Sequence, residues 1–292
     1  MKNNKSDQLL IDSMSIQKEE AINAGTLGYV TRSMIMATLP HGQTNAVIYE
    51  RKNGPFTLNV ISKDGVPFGN IPRLLLTYIT TEAIRTQSPI INFGNSMTSF
   101  LQKIGLQSTG GVNGSNTRLR LQSKKLYNSL ISVSYSDDSN DKTSNFVITD
   151  ESDLWWSTKN SIKNEEFRSL LTLSDKFFRD TIENPVPIDL RAVTALKGSS
   201  LALDIYTWGT YRNYALSNPT LISWAYLRLQ FGSDYKDDKF GRQNFKRCFL
   251  IQLKNVMCIY PKWKVHCDNK GLTIYPSPTH IQQKKSVIRY KK

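Results

Sequence analysis

The order of apolar segments, turns and basic segments in this chain predicts an α+β fold with two tandem winged helix-turn-helix domains. The same series of elements occurs twice along the 292 residues: helix, short strand, helix, turn, basic helix and hairpin. The length suits two domains of about 100–200 residues each. Hydrophobic residues make up 39% of the chain and aromatic residues 10%, which is enough to form a packed core.

The first copy begins after Pro72, where apolar residues recur at helical spacing. Residues 89–93 are typical of a short strand, and Ser96 is placed to cap a second helix that Gly105 closes. A glycine-rich loop then leads to the basic helix and the hairpin. These last elements are predicted at residues 117–130 for the helix and at 131–135 and 146–149 for the strands.

The second copy repeats this order with a helix that contains Leu201 and Tyr211, a strand at 219–222, and a helix capped by Ser223 and closed by Gly232. The prolines that open the two short strands are 130 residues apart, and the closing glycines are 127 apart. This agreement favours an internal duplication. The basic helix and hairpin of this copy are predicted at residues 239–259, 263–267 and 272–275.

These patterns divide the chain into four parts. We expect a flexible N-terminal extension, with a docking helix around Met14–Ala24 as the alternative, then two winged-helix domains and a basic tail. The predicted boundaries are 1–36, 37–155, 156–281 and 282–292.

The charge of the chain indicates a polyanionic partner. The formal net charge is +14 and the pI is about 9.6. Residues 236–292 hold 14 Lys and Arg against three Asp, a net charge of +11, and residues 89–136 contain no acidic residue. Each basic stretch includes one of the predicted basic helices. The alternative interpretation is a pair of solvated surfaces with no ligand.

Duplex DNA suits this arrangement, because its major groove admits one α-helix and a preceding helix can brace that helix across the backbone. We expect Arg247 or Arg242 to pair with a guanine edge and Asn244 or Gln243 with adenine. The lysines would mainly contact phosphate. The candidate DNA-binding residues are Arg118, Arg120, Lys124, Lys125, Arg242, Gln243, Asn244, Lys246, Arg247, Lys254, Lys262 and Lys264.

The sequence shows no motif of a phosphate-binding loop, a metal site or a disulfide framework. The chain has no phosphate-binding G-x-x-x-x-G-K-[ST] motif, and His41, His266 and His280 form no closely spaced pair. Its three cysteines lack the paired spacing of a zinc site or a disulfide framework. We therefore expect no enzyme, no cofactor and no metal. We also expect no signal peptide, no membrane partner and an intracellular protein, because no apolar run approaches the roughly 18 residues of a membrane helix.

Six segments of the chain have recognisable sequences: Gly65–Leu76, Thr80–Ala83, Pro185–Ala192, Ser200–Trp208, Tyr211–Arg212 and Tyr275–Pro278. Together they resemble the RepA-type replication initiators of bacterial plasmids, which bind repeated origin sites called iterons. The resemblance extends from Ala37 to Ile281.

This resemblance implies a non-enzymatic, cytoplasmic protein associated with plasmid and nucleoid. Its partners would be double-stranded origin DNA, a second copy of itself in a monomer–dimer equilibrium that limits copy number, and the host initiator and helicase machinery. The N-terminal winged domain would form the dimer and contact the DNA backbone. The C-terminal domain would provide the main DNA recognition through a helix over 239–254.

Two alternatives remain open. A transcriptional repressor with the same double winged-helix architecture would show the same basic helices but would not initiate replication. An RNA-binding or assembly protein is the second alternative, although the sequence lacks an aromatic stacking motif on adjacent strands.

Overall fold

A computed structural model of the chain describes residues 5–36, 38–137, 139, 141–153, 169–232 and 234–281. It has the mixed α+β composition that the sequence predicts. The helices are α1 (Lys5–Lys18), α2 (Arg32–Met36), α3 (Asn70–Thr86), α4 (Met97–Lys103), α5 (Ser115–Tyr127), α6 (Asp175–Glu183), α7 (Leu190–Leu196), α8 (Ser200–Tyr214), α9 (Trp224–Phe231) and α10 (Lys239–Ile259).

The strands form four antiparallel sheets in the described residues, with the orders β1-β9, β2-β3-β5-β6, β4-β8-β7 and β10-β12-β11. The strands are β1 (Leu27–Thr31), β2 (Ile48–Asn53), β3 (Phe56–Ile61), β4 (Ile90–Gly94), β5 (Leu130–Ser136), β6 (Asp141–Val147), β7 (Thr149–Asp153), β8 (Ser169–Leu173), β9 (Pro185–Asp189), β10 (Thr220–Ser223), β11 (Val265–Cys267) and β12 (Gly271–Ile274). The predicted domain boundary at residues 155 and 156 and the predicted tail at 282–292 lie outside the described residues, so these boundaries stay predictions.

The four-stranded sheet covers the N-terminal part of the core. Val60 pairs with Ile131, and Ile131 pairs with Phe146 across the next strand pair. All three side chains are buried, as is Leu58 two residues before Val60. Side chains alternate between the faces of a strand, so one face of this sheet is apolar and buried and the other faces outward.

The C-terminal elements follow the predicted order β10, α9, α10, β11 and β12. Strand β12 lies between the other two strands, with Ile222 of β10 opposite Leu272 and His266 of β11 opposite Thr273. The hairpin that follows α10 is therefore joined to the strand that precedes α9, which ties both helices to one small sheet.

The N-terminal copy keeps the same order of elements but not the same sheet topology. Strand β4 pairs with β8 and not with the hairpin, whereas the hairpin strand β5 pairs with β3. Strand β3 provides Leu58 and Val60, which extend the buried face of the hairpin. The two copies therefore share helices and a hairpin, and they differ in the strand that pairs with the hairpin, which is β3 in the first copy and β10 in the second.

Residues 5–36, part of the segment expected to be a flexible extension, form regular elements in the structure: α1, β1 and α2. Strand β1 pairs with β9 over five residues, from Leu27 opposite Asp189 to Thr31 opposite Pro185. Val30 of β1 and Ile35 of α2 are buried in the core. The apolar side chains of this segment place it in the core, and neither its charge nor its composition predicts this position.

Helix α1 packs on α10 and α7. Ser13 Oγ donates to the Cys258 carbonyl at 2.5 Å, and Arg191 Nη2 donates to the Glu19 carbonyl at 2.7 Å. Ile16 of α1 is 7% exposed. The docking helix that the sequence offered as an alternative is thus present, but it spans Lys5–Lys18.

A buried ion pair joins α3 to α8. Arg73 Nε and Nη2 donate to the two carboxylate oxygens of Asp204, each at 2.7 Å, and His41 Nε2 lies 2.7 Å from Asp204 Oδ2. Arg73 also donates to the carbonyls of Gly69 and Leu39. Burial on its own would raise the pKa of Asp204, but Arg73 and His41 outweigh it, and the pKa is lowered. This network ties the two halves of the chain together through their equivalent helices.

Candidate nucleic-acid interface

Helix α10 has the bounds that the sequence predicts, 239–259. Asp238 Oδ1 caps its first turn by accepting the Gly241 N–H at 2.6 Å, and Pro261 follows its last turn. A Cβ on Gly241 would lie 2.0 Å from the Lys236 carbonyl oxygen. Glycine at this position therefore lets the loop before α10 pack directly on the helix.

Helix α9 braces α10 from behind. Ser223 Oγ accepts the Tyr226 N–H and caps α9, as the sequence predicts. Trp224 meets Phe249 of α10 edge-to-face with ring centroids 5.8 Å apart, and Phe231 lies 5.7 Å from the same ring. These aromatic contacts pack α9 against α10.

One face of α10 is core, and the opposite face carries exposed side chains. The core face consists of Phe245, Phe249, Leu253, Val256 and Ile259, all 3% exposed or less. At about 100° per residue, six of the exposed side chains of α10 lie on the opposite face. The six residues of this outward face are Phe240, Gln243, Asn244, Arg247, Ile251 and Lys254, and all six are exposed.

Three of the predicted base-reading side chains, Gln243, Asn244 and Arg247, therefore lie on one surface. Arg247 Nη2 donates to Asn244 Oδ1 at 2.8 Å, which orients the guanidinium along the helix. This part of the sequence prediction and the geometry of the helix agree. The contacts with bases stay predictions.

Arg242 and Lys246 lie on a different flank, next to α9. Arg242 Nη1 lies 3.0 Å from Asp237 Oδ1, and Arg228 Nη1 lies 2.6 Å from the same oxygen. These two arginines, Arg228 first, lower the pKa of Asp237. Lys246 Nζ lies 4.7 Å from the centre of the Trp224 ring. Of the two arginines that the sequence offers for a guanine contact, Arg247 is the one on the outward face.

Lys254 is exposed but lies beside α1. It is about 10 Å along the helix from Arg247, since each residue adds about 1.5 Å. A groove of ≈ 590 Å³ separates α1 from this end of α10, and Leu9, Ile251 and Lys254 line it. The free surface of α10 is therefore its first half, and the second half is shared with α1.

The turn of the hairpin after α10 lies beside the first half of that helix. Asp268 Oδ1 accepts the N–H groups of Gly271 and Lys270 at 3.0 and 2.7 Å, and these bonds, that of Gly271 first, lower the pKa of Asp268. Lys262 and Lys264 are exposed, but they precede β11 at the other end of the hairpin. The structure does not bring these two lysines together with Arg247.

In the N-terminal copy, α5 also buries an apolar stripe, with Leu119 and Leu126 fully buried. The helix spans Ser115–Tyr127 and ends earlier than predicted, because Leu130 already pairs with Ile61 in the sheet. Its N-cap residue is Gly114.

The four basic residues predicted on α5 have different surroundings. Arg118, Arg120 and Lys124 are exposed, and Lys124 Nζ lies 2.8 Å from Asp64, whose pKa it lowers. Lys125 is only 8% exposed, with its ammonium 5.1 Å from the centre of the Phe68 ring. A phosphate contact would require this ammonium to leave the ring, so we do not include Lys125 in the candidate interface.

Phe240 is not among the candidate DNA-binding residues predicted from the sequence, yet it is the more exposed of the two apolar residues on the outward face of α10. Its side chain is 79% exposed, against 48% for Ile251. The helical angle of Phe240 relative to the buried stripe was a signal that could have identified it.

Among the described residues, no group of three or more His, Cys, Asp or Glu side chains is placed to hold a metal ion, and Cys248, Cys258 and Cys267 are free thiols. No helix in the described part of the chain is both long and apolar enough to span a membrane.

Comparison with known proteins gives the following relationships. A family model described as plasmid encoded RepA protein matches residues 66–225. The match ends inside α9, so α10 lies beyond it. No curated protein matches the chain.

Two solved structures of RctB are similar in fold. The crystal structure of RctB domains 2-3 (RctB-155-483) aligns with a TM-score of 0.53 at 10% identity, over 83% of this chain and 96% of that chain. The selenomethionine derivative of RctB domains 2 and 3 aligns with a TM-score of 0.52 at 10% identity, over 83% and 95%. At this identity the likeness concerns the fold alone. The family match covers more than half of the sequence, and the chain therefore belongs to the plasmid-encoded RepA family of replication initiators.

Proposed function

We propose that this protein binds repeated sites (iterons) at the origin of its plasmid, helps to open the duplex there and recruits host replication proteins, without a catalytic step of its own. In this proposal the C-terminal unit is a winged helix whose α10 reads the major groove. The protein then acts in the bacterial cytoplasm, bound to plasmid DNA.

The observation that carries the proposal is the free outward face on the first half of α10. Gln243, Asn244 and Arg247 have the side chains that pair with adenine and guanine edges, and they lie on one exposed face of a helix braced by α9. The turn of the hairpin lies beside the same half of the helix, since Lys246 Nζ is 3.4 Å from the Asp268 carbonyl. The net charge of +14 adds salt-sensitive affinity for phosphate.

The proposal is tested by footprinting the purified protein on the origin of its own plasmid. We expect protected direct repeats spaced by about two helical turns, because two helix-turn-helix units in one chain span that length. We also expect an origin fragment without its own initiator gene to replicate in cells that supply the protein in trans. A footprint without repeats would contradict iteron binding.

A transcriptional repressor with the same fold remains the alternative function. Footprinting does not separate the two functions, because both bind specific duplex sites. Replication in trans does separate them, since a repressor leaves the origin fragment unreplicated and still silences a reporter gene that carries the protected site.

The outward face of the four-stranded sheet supports self-association. Ile48 pairs with Ile61, and Ile61 pairs with Leu130, so the three side chains form one row across three strands. They are 59%, 45% and 44% exposed. The next outward row contains Glu50, Asn59 and Ser132, and Glu50 forms an exposed ion pair with Lys52. An exposed apolar row bordered by a polar row is a surface on which a second copy can pack.

We expect Ile61→Lys to weaken self-association at least tenfold, because it places a charge in the centre of this row. Sedimentation equilibrium over a concentration series measures the dimer Kd. Leu221→Lys, which changes another exposed aliphatic residue (49% exposed), is the matched control. Equal dimer affinities for Ile61→Lys and the wild type would place the contact elsewhere.

A further inference from the structure

Phe240 is an aromatic side chain on the surface of α10 with no place in the core. It is the second residue of the helix and is 79% exposed. At about 100° per residue, it lies roughly 160° around the axis from the centre of the buried apolar stripe. Packing against the rest of the described chain therefore does not account for it.

The neighbours of Phe240 define a surface with a specific chemistry. Residues three, four and seven positions later are Gln243, Asn244 and Arg247, which is the spacing of side chains on one helical face. Together with Tyr235 they line a concavity of ≈ 700 Å³ in front of the helix. The apolar ring is thus surrounded by amide and guanidinium groups.

The acidic residues beside this concavity are engaged with backbone N–H groups. Asp238 accepts the Gly241 N–H as the helix cap, and Asp234 accepts the Gly42 N–H at 2.5 Å. Their charges therefore stabilise local backbone, while Arg247 projects from the outward face. Lys236 and Arg247 line the same concavity and balance the two carboxylates, so the concavity suits a ligand that presents both hydrogen-bonding and apolar groups.

The edge of duplex DNA in the major groove offers both kinds of group. Each base pair presents hydrogen-bonding atoms, and thymine alone adds a methyl group that apolar side chains contact. In a helix-turn-helix the first residues of the recognition helix contact base edges. Phe240 lies in that part of α10.

We propose that Phe240 is a specificity-determining residue that contacts the 5-methyl group of a thymine in the DNA site. This inference rests on the proposed function, because it requires α10 to lie in the major groove. Gln243, Asn244 and Arg247 then read the neighbouring bases, and Phe240 adds selection for a thymine next to them.

The test uses duplexes selected by the wild-type protein from a random pool, with each thymine of the selected site replaced in turn by deoxyuridine. Deoxyuridine keeps the base pair and removes only the methyl group. We expect wild-type affinity, measured by fluorescence anisotropy, to fall about fourfold at one or two positions, which is the effect of losing one buried methyl-sized group.

Phe240→Ala is expected to bind the thymine and deoxyuridine duplexes equally at those positions. Phe240→Leu keeps an apolar contact and is expected to keep part of the preference, whereas Tyr226→Ala, on an exposed aromatic of α9, is expected to keep all of it. Circular dichroism checks that the variants are folded.

Equal wild-type affinity for thymine and deoxyuridine at every position overturns the inference, as does a preference that survives in Phe240→Ala or a selected site without thymine. In each of these cases specific binding persists, so the proposed function stands. A wild-type protein that selects no duplex at all overturns both, and Arg247→Ala distinguishes a general loss of base reading from the loss of the methyl contact alone.

Discussion

Replacing Asp204 by asparagine is expected to lower the free energy of unfolding by about 3–5 kcal/mol, because it leaves the Arg73 guanidinium buried without its carboxylate. Both side chains are 9% exposed, so water does not replace the lost partner. The pKa of Asp204 is lowered, so its charge stabilises the fold at neutral pH, and this contribution is lost only as the pH falls below about 4. Urea unfolding at pH 7 measures the change.

Two further variants separate the ion pair from other effects. Asp175→Asn removes the carboxylate of an exposed pair with Arg179 and is expected to cost only about 0.2–1 kcal/mol. The double variant Arg73→Met with Asp204→Leu removes both buried charges and is expected to be more stable than Asp204→Asn alone. A double variant less stable than the single one would mean that the hydrogen bonds of Arg73 to the carbonyls of Gly69, Leu39 and Pro40 stabilise the fold more than its ion pair with α8 does.

This ion pair also shows where sequence reasoning stops. Arg73 and Asp204 occupy equivalent helices of the two copies, and the sequence predicts both helices from their apolar spacing. The sequence around either residue does not indicate that the other, 131 positions away, is its partner. Periodicity reports which face of a helix is buried and not which element covers that face.

The same limit applies to strand pairing. The bounds of α10 are confirmed because a long apolar stripe, an Asp cap and a terminal proline all act within the segment itself. Strand β9 begins with Pro185 and contains Pro187, residues that are uncommon inside strands, so its own sequence argues against it. It becomes a strand because it pairs along the edge of β1, far away in the chain.

The same limit applies to the candidate site, where the sequence predicts only the relations between residues that are close in the chain. Helical spacing correctly groups Gln243, Asn244 and Arg247 on one face, since that relation is local. The burial of Lys125 depends on Phe68, in a loop before α3, and the covering of the second half of α10 depends on α1. Both contacts join distant segments, and composition or charge counts do not contain them.

His280 is a buried base held between two tyrosines. Its Nδ1 lies 2.7 Å from the Tyr206 hydroxyl, which itself accepts the Asp189 N–H at 2.9 Å, and its ring centroid lies 4.7 Å from that of Tyr260. With its oxygen accepting from Asp189, the Tyr206 hydroxyl is free to donate to an unprotonated Nδ1. Burial lowers the pKa of His280 to about 4, against a smaller opposing effect of Asp189.

The protein is therefore expected to lose stability as the pH falls from about 6.5 toward 4, because in that window the unfolded chain binds a proton at residue 280 that the folded chain excludes. The loss between pH 7 and pH 5 amounts to about 2 kcal/mol for a histidine whose pKa is shifted this far. His280→Gln keeps an acceptor for Tyr206 but has no proton to gain, so its unfolding free energy is expected to depend less on pH by that amount. Urea unfolding of both proteins at pH 5, 6 and 7 measures the difference. Parallel pH profiles for the two proteins would contradict the burial of a neutral histidine, because every other titrating group is common to both.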